Sequence, residues 1–467
     1  MLNFDFDNSY ARLPEALFHR QSPCQVPAPS MIAWNAPLAR SLNITGGPDA
    51  QTLSGNLLPK GAEPLAQLYS GHQFGHWNSQ LGDGRALLLG EVIGAQGRRD
   101  IVLKGSGRTP YSRGGDGRAA LGPVLREYLV SESMHALNIP TTRALAAIRS
   151  GDDVIRDTPL PGAILTRIAA SHIRVGTFQV LAARGMKPEL NALFEHVITR
   201  HYPGAQTPVD LLRQVCKAQA DLVARWMAVG FVHGVMNTDN CAISGETLDY
   251  GPCAFLEEYR ASAVFSSIDR QGRYAYGAQA DVILWNMAQL ASALLALMPD
   301  SDETITAMTQ VIQEMEDVLR SRWRAHFGAK IGIREARPDD AALMTGLLGM
   351  MEETGADFTN SFRALADGTS QALSAHPRFA GWERDWRKRL EAEPDDPLDL
   401  MARVNPAIIA RNHLVEEAIQ AAQKGDDAPF HRLNKALTRP FDPDDDDLPL
   451  TRPAKPDQRV HATFCGT

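Results

Sequence analysis

Cysteine is scarce in this sequence. Five cysteines are scattered through 467 residues (Cys24, Cys216, Cys241, Cys253 and Cys465), and no two form a C-x-x-C pair. That excludes a disulfide framework and argues against structural zinc. Long apolar runs are missing too: none approaches the roughly 20 residues that a membrane span needs. Positive charge is not in excess, since 47 Lys and Arg stand against 55 Asp and Glu for a net charge of −8. A nucleic-acid partner, which calls for a basic face, is therefore not expected. The first residues, MLNFDFDNSYARLPEALF, carry acidic side chains where a targeting peptide would carry basic ones. A cytoplasmic protein without membrane or nucleic-acid partners is the expectation, and the sequon Asn43-Ile44-Thr45 carries no weight without secretion.

What is present fits a globular protein with more than one core: 44% of residues are hydrophobic and 22% charged. Residues 1–60 are rich in Pro, Ser and Asn and read as an extended segment wrapping a core. From Ala86, ALLLGEVI and DIVLKG flank GAQGRR, the pattern of a β-hairpin. Residues 122–137 place Val124, Leu125, Tyr128, Leu129, Met134 and Leu137 at near-helical spacing, with Pro123 suited to the first turn. ALAAI and GAILTRI read as further strands. VDLLRQVCKAQADLVARWMAVG is an amphipathic helix ending at Gly230, and beyond Gln279 nearly every segment has helical periodicity. The run of four Asp in PFDPDDDDLPL is expected to be a solvated spacer. The organisation read from this order is α+β. Residues 61–168 form a small β-rich lobe, residues 169–435 a larger helical lobe with extra helices, and residues 436–467 an acidic, Pro-rich tail. That is the order of a protein-kinase-like bilobal fold.

The segment VHGVMNTDN supports this reading and complicates it. His233 and Asn240 have the spacing of a kinase catalytic loop, but Val235 stands where that loop carries its proton-accepting Asp. Lys104 ends the strand DIVLKG, and Glu127 lies 23 residues later within the next helix, as in the kinase Lys–Glu pair. Two copies of GDGRA, residues 82–86 and 115–119, could bring backbone N–H groups and Arg85 or Arg118 to phosphate, or could be ordinary Asp-Gly turns. Gly115 to Ala120 also spells G-x-G-x-x-A, but about ten polar residues separate it from its strand, against a dinucleotide fingerprint. Asn240 and Asp249, the latter opening Asp-Tyr-Gly, offer oxygen ligands suited to Mg²⁺. Asp239 is the carboxylate nearest the missing position: it is a displaced base, or it caps a turn in a protein without catalysis. His72 and His76 in GHQFGHW lack the helix and the Glu of a zinc-protease motif, and read as loop residues.

The strings YSGHQFGHWNSQLGDGRALLLGE, LKGSGRTPYSRGGDGRAALGPVLREYL, VHGVMNTDNCAISGETLDYGPCAFLE and the terminal TFCGT closely resemble the selenoprotein O family, most densely over residues 68–258. The resemblance implies a kinase-like fold that transfers AMP rather than phosphate, with the nucleotide flipped so that its α-phosphate faces the acceptor. On this sequence it implies Asp239 as base and Lys104 with Glu127 as the lobe-bridging pair. Gly82, Gly84, Arg85, Lys104, Asp116, Gly117 and Asp249 would lie around the nucleotide. Arg167 and Arg174 would reach its terminal phosphates, and Asn240 and Asp249 would hold Mg²⁺, with Mn²⁺ the alternative ion. The implied reaction joins AMP from ATP to Ser, Thr or Tyr hydroxyls of partner proteins, with the enzyme expected to be a monomer. A kinase using the same site, or a non-catalytic nucleotide-binding scaffold, are the alternatives. Cys465 stands where selenoprotein members carry selenocysteine, and a reversible disulfide with Cys253 is a further expectation.

Overall fold

In the computed structural model, which describes residues 2–367 and 371–463, an antiparallel sheet of eight strands is followed by many helices. Across the sheet the strands run Phe18–Arg20, Leu65–Gln67, Ala86–Gly94, Gly97–Lys104, Pro159–Ala169, Arg143–Ile155 and Ser30–Trp34. The two-residue strand Ala119–Ala120 pairs with Pro159–Ala169 off this path. The expected hairpin is there, closing at Gly94 opposite Gly97. The first 60 residues do more than wrap a core: they supply both outermost strands of the sheet, Phe18–Arg20 and Ser30–Trp34. Neither was legible, because three- and five-residue strands are too short to show alternation.

The central strands read as near-continuous apolar runs because both faces are covered. On one face Leu88, Val102, Ala144 and Leu165 pack with Leu121, Val124, Leu125 and Tyr128 of the helix Leu121–Ala136. On the other, Leu89, Ile101, Leu103, Ile148 and Ile164 meet Leu2, Phe4, Leu38, Leu42 and Leu53 from the N-terminal segment. The helix Leu121–Ala136 is in turn covered by Asn412–Gln423 and Ala428–Leu437, where Arg126 ion-pairs with Glu416. Burial on all sides explains why it is apolar around much of its circumference.

The predicted amphipathic helix is Pro208–Ala228, opened by a reciprocal cap between Thr207 and Asp210. After it, Phe231–Val232 pairs with Ala254–Phe255, and Cys241 bridges Thr247. This small hairpin holds the VHGVMNTDN loop. Gln279–Leu295 and Asp302–Lys330 pack against Pro208–Ala228. Among the described residues no helix is long and apolar enough to cross a membrane.

In the acidic run Asp444, Asp445 and Asp446 are exposed, as expected of a solvated spacer, and only the last Asp departs from it. Asp445–Thr451 forms a 3₁₀ segment, and Asp447 is buried, 3.4 Å from Arg439, which also pairs with Asp444. A neighbouring Arg turns part of the spacer into an anchored strap. Downstream, Thr463 Oγ1 donates to Pro252 O at 2.8 Å, beside the buried Cys253. Cys465, the expected partner of Cys253, lies outside the described residues.

Candidate functional site

Sheet register places the first two cations. Lys104 pairs with Leu165, two residues before Arg167, so Lys104 and Arg167 share the face that packs on the helix Leu121–Ala136. Glu127 projects from that helix between them. Its Oε2 lies 2.5 Å from Lys104 Nζ, and its Oε1 lies 3.0 Å from Arg167 Nη1. Asp249 closes the cluster from the loop after the hairpin: its Oδ1 accepts from Lys104 Nζ and from Arg167 Nη1, each at 2.6 Å. Burial alone would raise the Asp249 carboxyl. Lys104, Arg167 and Arg174 outweigh it and hold the group well below the carboxylate range. Asp249 has φ of +65°, a left-handed conformation that non-glycine residues adopt at a cost.

Arg174 is the third cation, at the start of the helix Val175–Ala183. It lies over the Tyr69 ring at 4.2 Å, with Nη2 at 3.6 Å from Asp83 Oδ1 and 3.9 Å from Asp249 Oδ2. Its Nη1 donates to the backbone oxygen of Asp239 at 3.1 Å. Asp239 sits in the 3₁₀ turn Thr238–Asn240 and is 7% exposed. Its Oδ2 accepts from Gln73 Nε2 at 3.2 Å, while its Oδ1 is buried with no hydrogen-bond partner among the described residues. Burial pushes this carboxyl up to about 6, against the pull of Arg174.

The GHQFGHW segment builds one wall. Gly71–Gln73 pairs with His76–Asn78 as a small hairpin lying on the VHGVMNTDN loop. There His72 N donates to Thr238 Oγ1 at 2.7 Å and Phe74 N to Asn237 Oδ1 at 3.0 Å. Gly71 is required by this approach, since a Cβ on it would lie 2.8 Å from Asp239 Oδ1. His72 packs tilted against Trp77 and edge-on against Trp285 and bonds Gln179, a structural role in a strand of that hairpin. Asn240 Nδ2 donates to Val235 O at 3.0 Å, which leaves the amide oxygen as its remaining polar end.

The structure thus brings together Lys104, Glu127, Arg167, Arg174, Asp239 and Asp249, with Asn240 beside them. Gly82 and Gly84 flank Asp83 and pack on the 105–118 loop at Tyr111 and Ser112; Gly82 has φ of +140°. Arg85 opens the strand Ala86–Gly94, its carbonyl accepting from Gly105 N at 2.6 Å. Asp116 and Gly117 do not join the charged cluster. The Asp116 carboxylate pairs with Arg156 at 2.8 Å, and Gly117 lies against Gly107 within the same loop. Four residues of the site were missed: Tyr69, Gly71, Gln73 and Asp83. Asp83 had a signal, as the centre of the same Gly-Asp-Gly whose glycines were singled out. The other three act only through tertiary apposition.

Three cations meet four carboxylates in a mostly buried cluster, a set of groups able to pair with phosphates and with a divalent cation. The family described as protein adenylyltransferase SelO matches residues 1–438. The chain belongs to that family. Proteins named protein nucleotidyltransferase YdiU are similar along the whole length. That of Ruegeria sp. (strain TM1040) is 55% identical over 471 residues, covering 100% of both chains. That of Roseobacter denitrificans is 56% identical over 468 residues, covering 99% of both, and that of Rhodopseudomonas palustris (strain BisB18) 50% identical over 491 residues, covering 100% of both. As a SelO-family member the chain is an enzyme, a nucleotidyltransferase of the protein adenylyltransferase class, with ATP as the implied substrate.

Proposed function

We propose that Asp239 is the general base for transfer of AMP from ATP to Ser, Thr or Tyr hydroxyls of partner proteins. The observation that carries this reading is the Asp239 side chain: a buried carboxylate, raised to about 6, with one oxygen lacking a hydrogen-bond partner. Several buried polar atoms are unpaired among the described residues, but Asp239 Oδ1 is the carboxylate oxygen among them, and beside Arg174 and Asp249 it leaves an acceptor open to a hydroxyl proton. A group with this value is mostly ionised at neutral pH and close enough to it for efficient proton transfer.

The acceptor oxygen attacks the α-phosphorus and forms the new P–O bond. The bond to the β-phosphate oxygen breaks, pyrophosphate leaves, and the hydroxyl proton passes to Asp239. Lys104, held by Glu127, and Arg167 and Arg174 neutralise the phosphates, the two arginines serving the terminal ones. The family resemblance puts Gly82, Gly84, Arg85, Asp116 and Gly117 around the nucleotide, the last two from the 105–118 loop outside the charged cluster. The Asp249 carboxylate and the Asn240 amide oxygen suit Mg²⁺, which takes few protein ligands and completes its shell with phosphate and water. Among the described residues no group of three or more His, Cys, Asp or Glu is placed to hold a metal ion. Bound there, Mg²⁺ would supply charge neutralisation at the phosphates. We read residues 61–168 and 169–435 as the two lobes of a kinase-like fold. The sheet over the helix Leu121–Ala136, followed by the helical region, supports two lobes, with residues 1–60 adding the two edge strands of the first.

The test is label transfer. The protein is incubated with a cell lysate, Mg²⁺ and either α-³²P- or γ-³²P-ATP. Label on protein from α-ATP alone is the expected result. Label from γ-ATP alone would make the site a kinase and remove the reason for a displaced base. No label from either, with ATP still bound, would leave a nucleotide-binding scaffold.

A further inference from the structure

The Arg167 guanidinium is held from behind as well as from the front. Its Nε lies 3.1 Å from His172 Nε2, and His172 is 1% exposed. An arginine can only donate, so His172 Nε2 must accept. The imidazole proton is then on Nδ1, which lies 2.9 Å from Asp100 Oδ2 and donates to it. Asp100 also takes the backbone N–H of His172 at 2.9 Å, and its other oxygen lies 2.6 Å from Arg200 Nη2. Arg200 continues to Glu91 at 3.2 Å, and Glu91 accepts the backbone N–H of Tyr10 at 2.5 Å. All these side chains are buried. The chain of contacts runs from the N-terminal segment through the sheet to the cation that bridges Glu127 and Asp249.

We propose that neutral His172 is a positioning residue that sets the plane of the Arg167 guanidinium, anchored in turn by Asp100 and Arg200. A guanidinium is a rigid fork. With Nε committed to His172 and Nη1 to Glu127 and Asp249, rotation about the last side-chain bond is blocked, and the direction of the remaining arm is set before any ligand arrives. Burial pushes the His172 imidazole down from its ordinary value, in keeping with a ring that must stay neutral. Protonation would set an N–H of His172 against the N–H of Arg167. This inference rests on the reading above that Arg167 serves the terminal phosphates of ATP.

Two substitutions separate the two edges of the ring. His172→Asn keeps a donor near the Nδ1 position for Asp100 but offers Arg167 no acceptor. His172→Gln places an oxygen near the Nε2 position for Arg167 but gives up the donor to Asp100. Calorimetry on the full chain with Mg²⁺ would measure Kd for ATP and for AMP, which lacks the terminal phosphates, with thermal unfolding recorded alongside. The wild type should prefer ATP. His172→Asn should weaken ATP about tenfold, the scale of one charged hydrogen bond, with AMP changed less than about twofold. His172→Gln should retain the ATP preference. A purely structural role would lower ATP and AMP binding together in both variants, in step with Tm, and would overturn the proposal. So would a His172→Asn protein that keeps the wild-type preference, or a His172→Gln protein that loses it while folded. If the wild type itself binds ATP no better than AMP, the terminal-phosphate reading fails and takes this inference with it. A wild-type preference that survives His172→Asn overturns the inference alone.

Discussion

Two buried arginines in this molecule each meet two carboxylates, and they do opposite things. Arg411 is fully buried, with Nη1 at 2.6 Å from Glu257 and 2.8 Å from Asp357. Its Nη2 donates to Thr451 O at 3.1 Å, and the Ala454 N–H donates to Glu257 at 3.2 Å. The cluster ties four chain segments together, and backbone groups take up much of its remaining capacity. Arg167 also bridges two carboxylates, Glu127 and Asp249, but its neighbours are two more cations and an aspartate with an unpaired oxygen. In the Arg411 cluster the two terminal nitrogens are taken by carboxylates and a backbone oxygen, while Nε has no hydrogen-bond partner among the described residues. The other gathers three cations around Asp249, where we propose that the nucleotide phosphates bind. Neither charge burial nor an unpaired atom alone sets the proposed site apart; three cations gathered on a left-handed Asp249 do.

The comparison can be broken most forcefully at Asp239. Asp239→Asn should lower kcat for AMP transfer by about 10² to 10⁴, the usual contribution of a general base. ATP affinity should change little, because Arg174 is held by the backbone oxygen of Asp239 and not by its side chain. Stability should rise by about 1 kcal/mol, since an isosteric neutral amide replaces a buried charge with an unpaired oxygen. Single-turnover label transfer, calorimetry and denaturant unfolding give the three readouts. A variant that transfers AMP at the wild-type rate would remove Asp239 from the chemistry.

Arg411→Met should show the reverse profile. Removing one partner of a buried ion pair leaves carboxylates uncompensated, at a cost of about 3 kcal/mol. Denaturant midpoints should fall accordingly. Below the unfolding transition, ATP Kd should stay within about twofold of wild type, a change too small to count as a lost contact. Loss of ATP binding at unchanged stability would mean that the two clusters are not separable.

Much of this site was legible in the sequence because its parts lie on locally recognisable elements. Lys104 ends an apolar strand, Glu127 sits in a helical repeat, and Asn240 and Asp249 follow a long capped helix at characteristic spacing. What could not be read is what the fold alone brings together. Gln73 meets Asp239 across 166 positions, and Tyr69 lies under Arg174 although neither has a local pattern. The resemblance implies Asp116 near the nucleotide; in the fold its carboxylate meets Arg156, which no spacing rule would pair with it. Asp447 looked like part of a solvated run because charge runs usually are solvated. A nearby Arg439 was enough to bury it.

A third buried cation sharpens the contrast, with the smallest expected effect. Lys330 is 3% exposed and has no carboxylate partner among the described residues: its Nζ donates to Asn405 Oδ1 at 2.8 Å and lies 4.2 Å from the Phe362 ring centre and 5.4 Å from that of Phe358. Burial pushes the amine from 10.5 down to about 7. Between those values the unfolded chain binds the extra proton, so this group's contribution to stability rises with pH; its penalty is full below about 7 and gone above about 10.5. Lys330→Met removes the titration but leaves Asn405 Oδ1 without its donor, at a cost of about 1 kcal/mol. The variant should therefore be slightly less stable than the parent at pH 10 and more stable at pH 6. The swing should be about 2 kcal/mol, reduced from the full linkage value because Asn405 and the two rings favour the cation. Urea midpoints of both proteins at the two pH values measure it. A gap that does not move with pH would mean that the amine keeps its proton in the fold. Asn405 and two aromatic faces would then do for Lys330 what Glu257 and Asp357 do for Arg411, and a buried cation here would need no carboxylate at all.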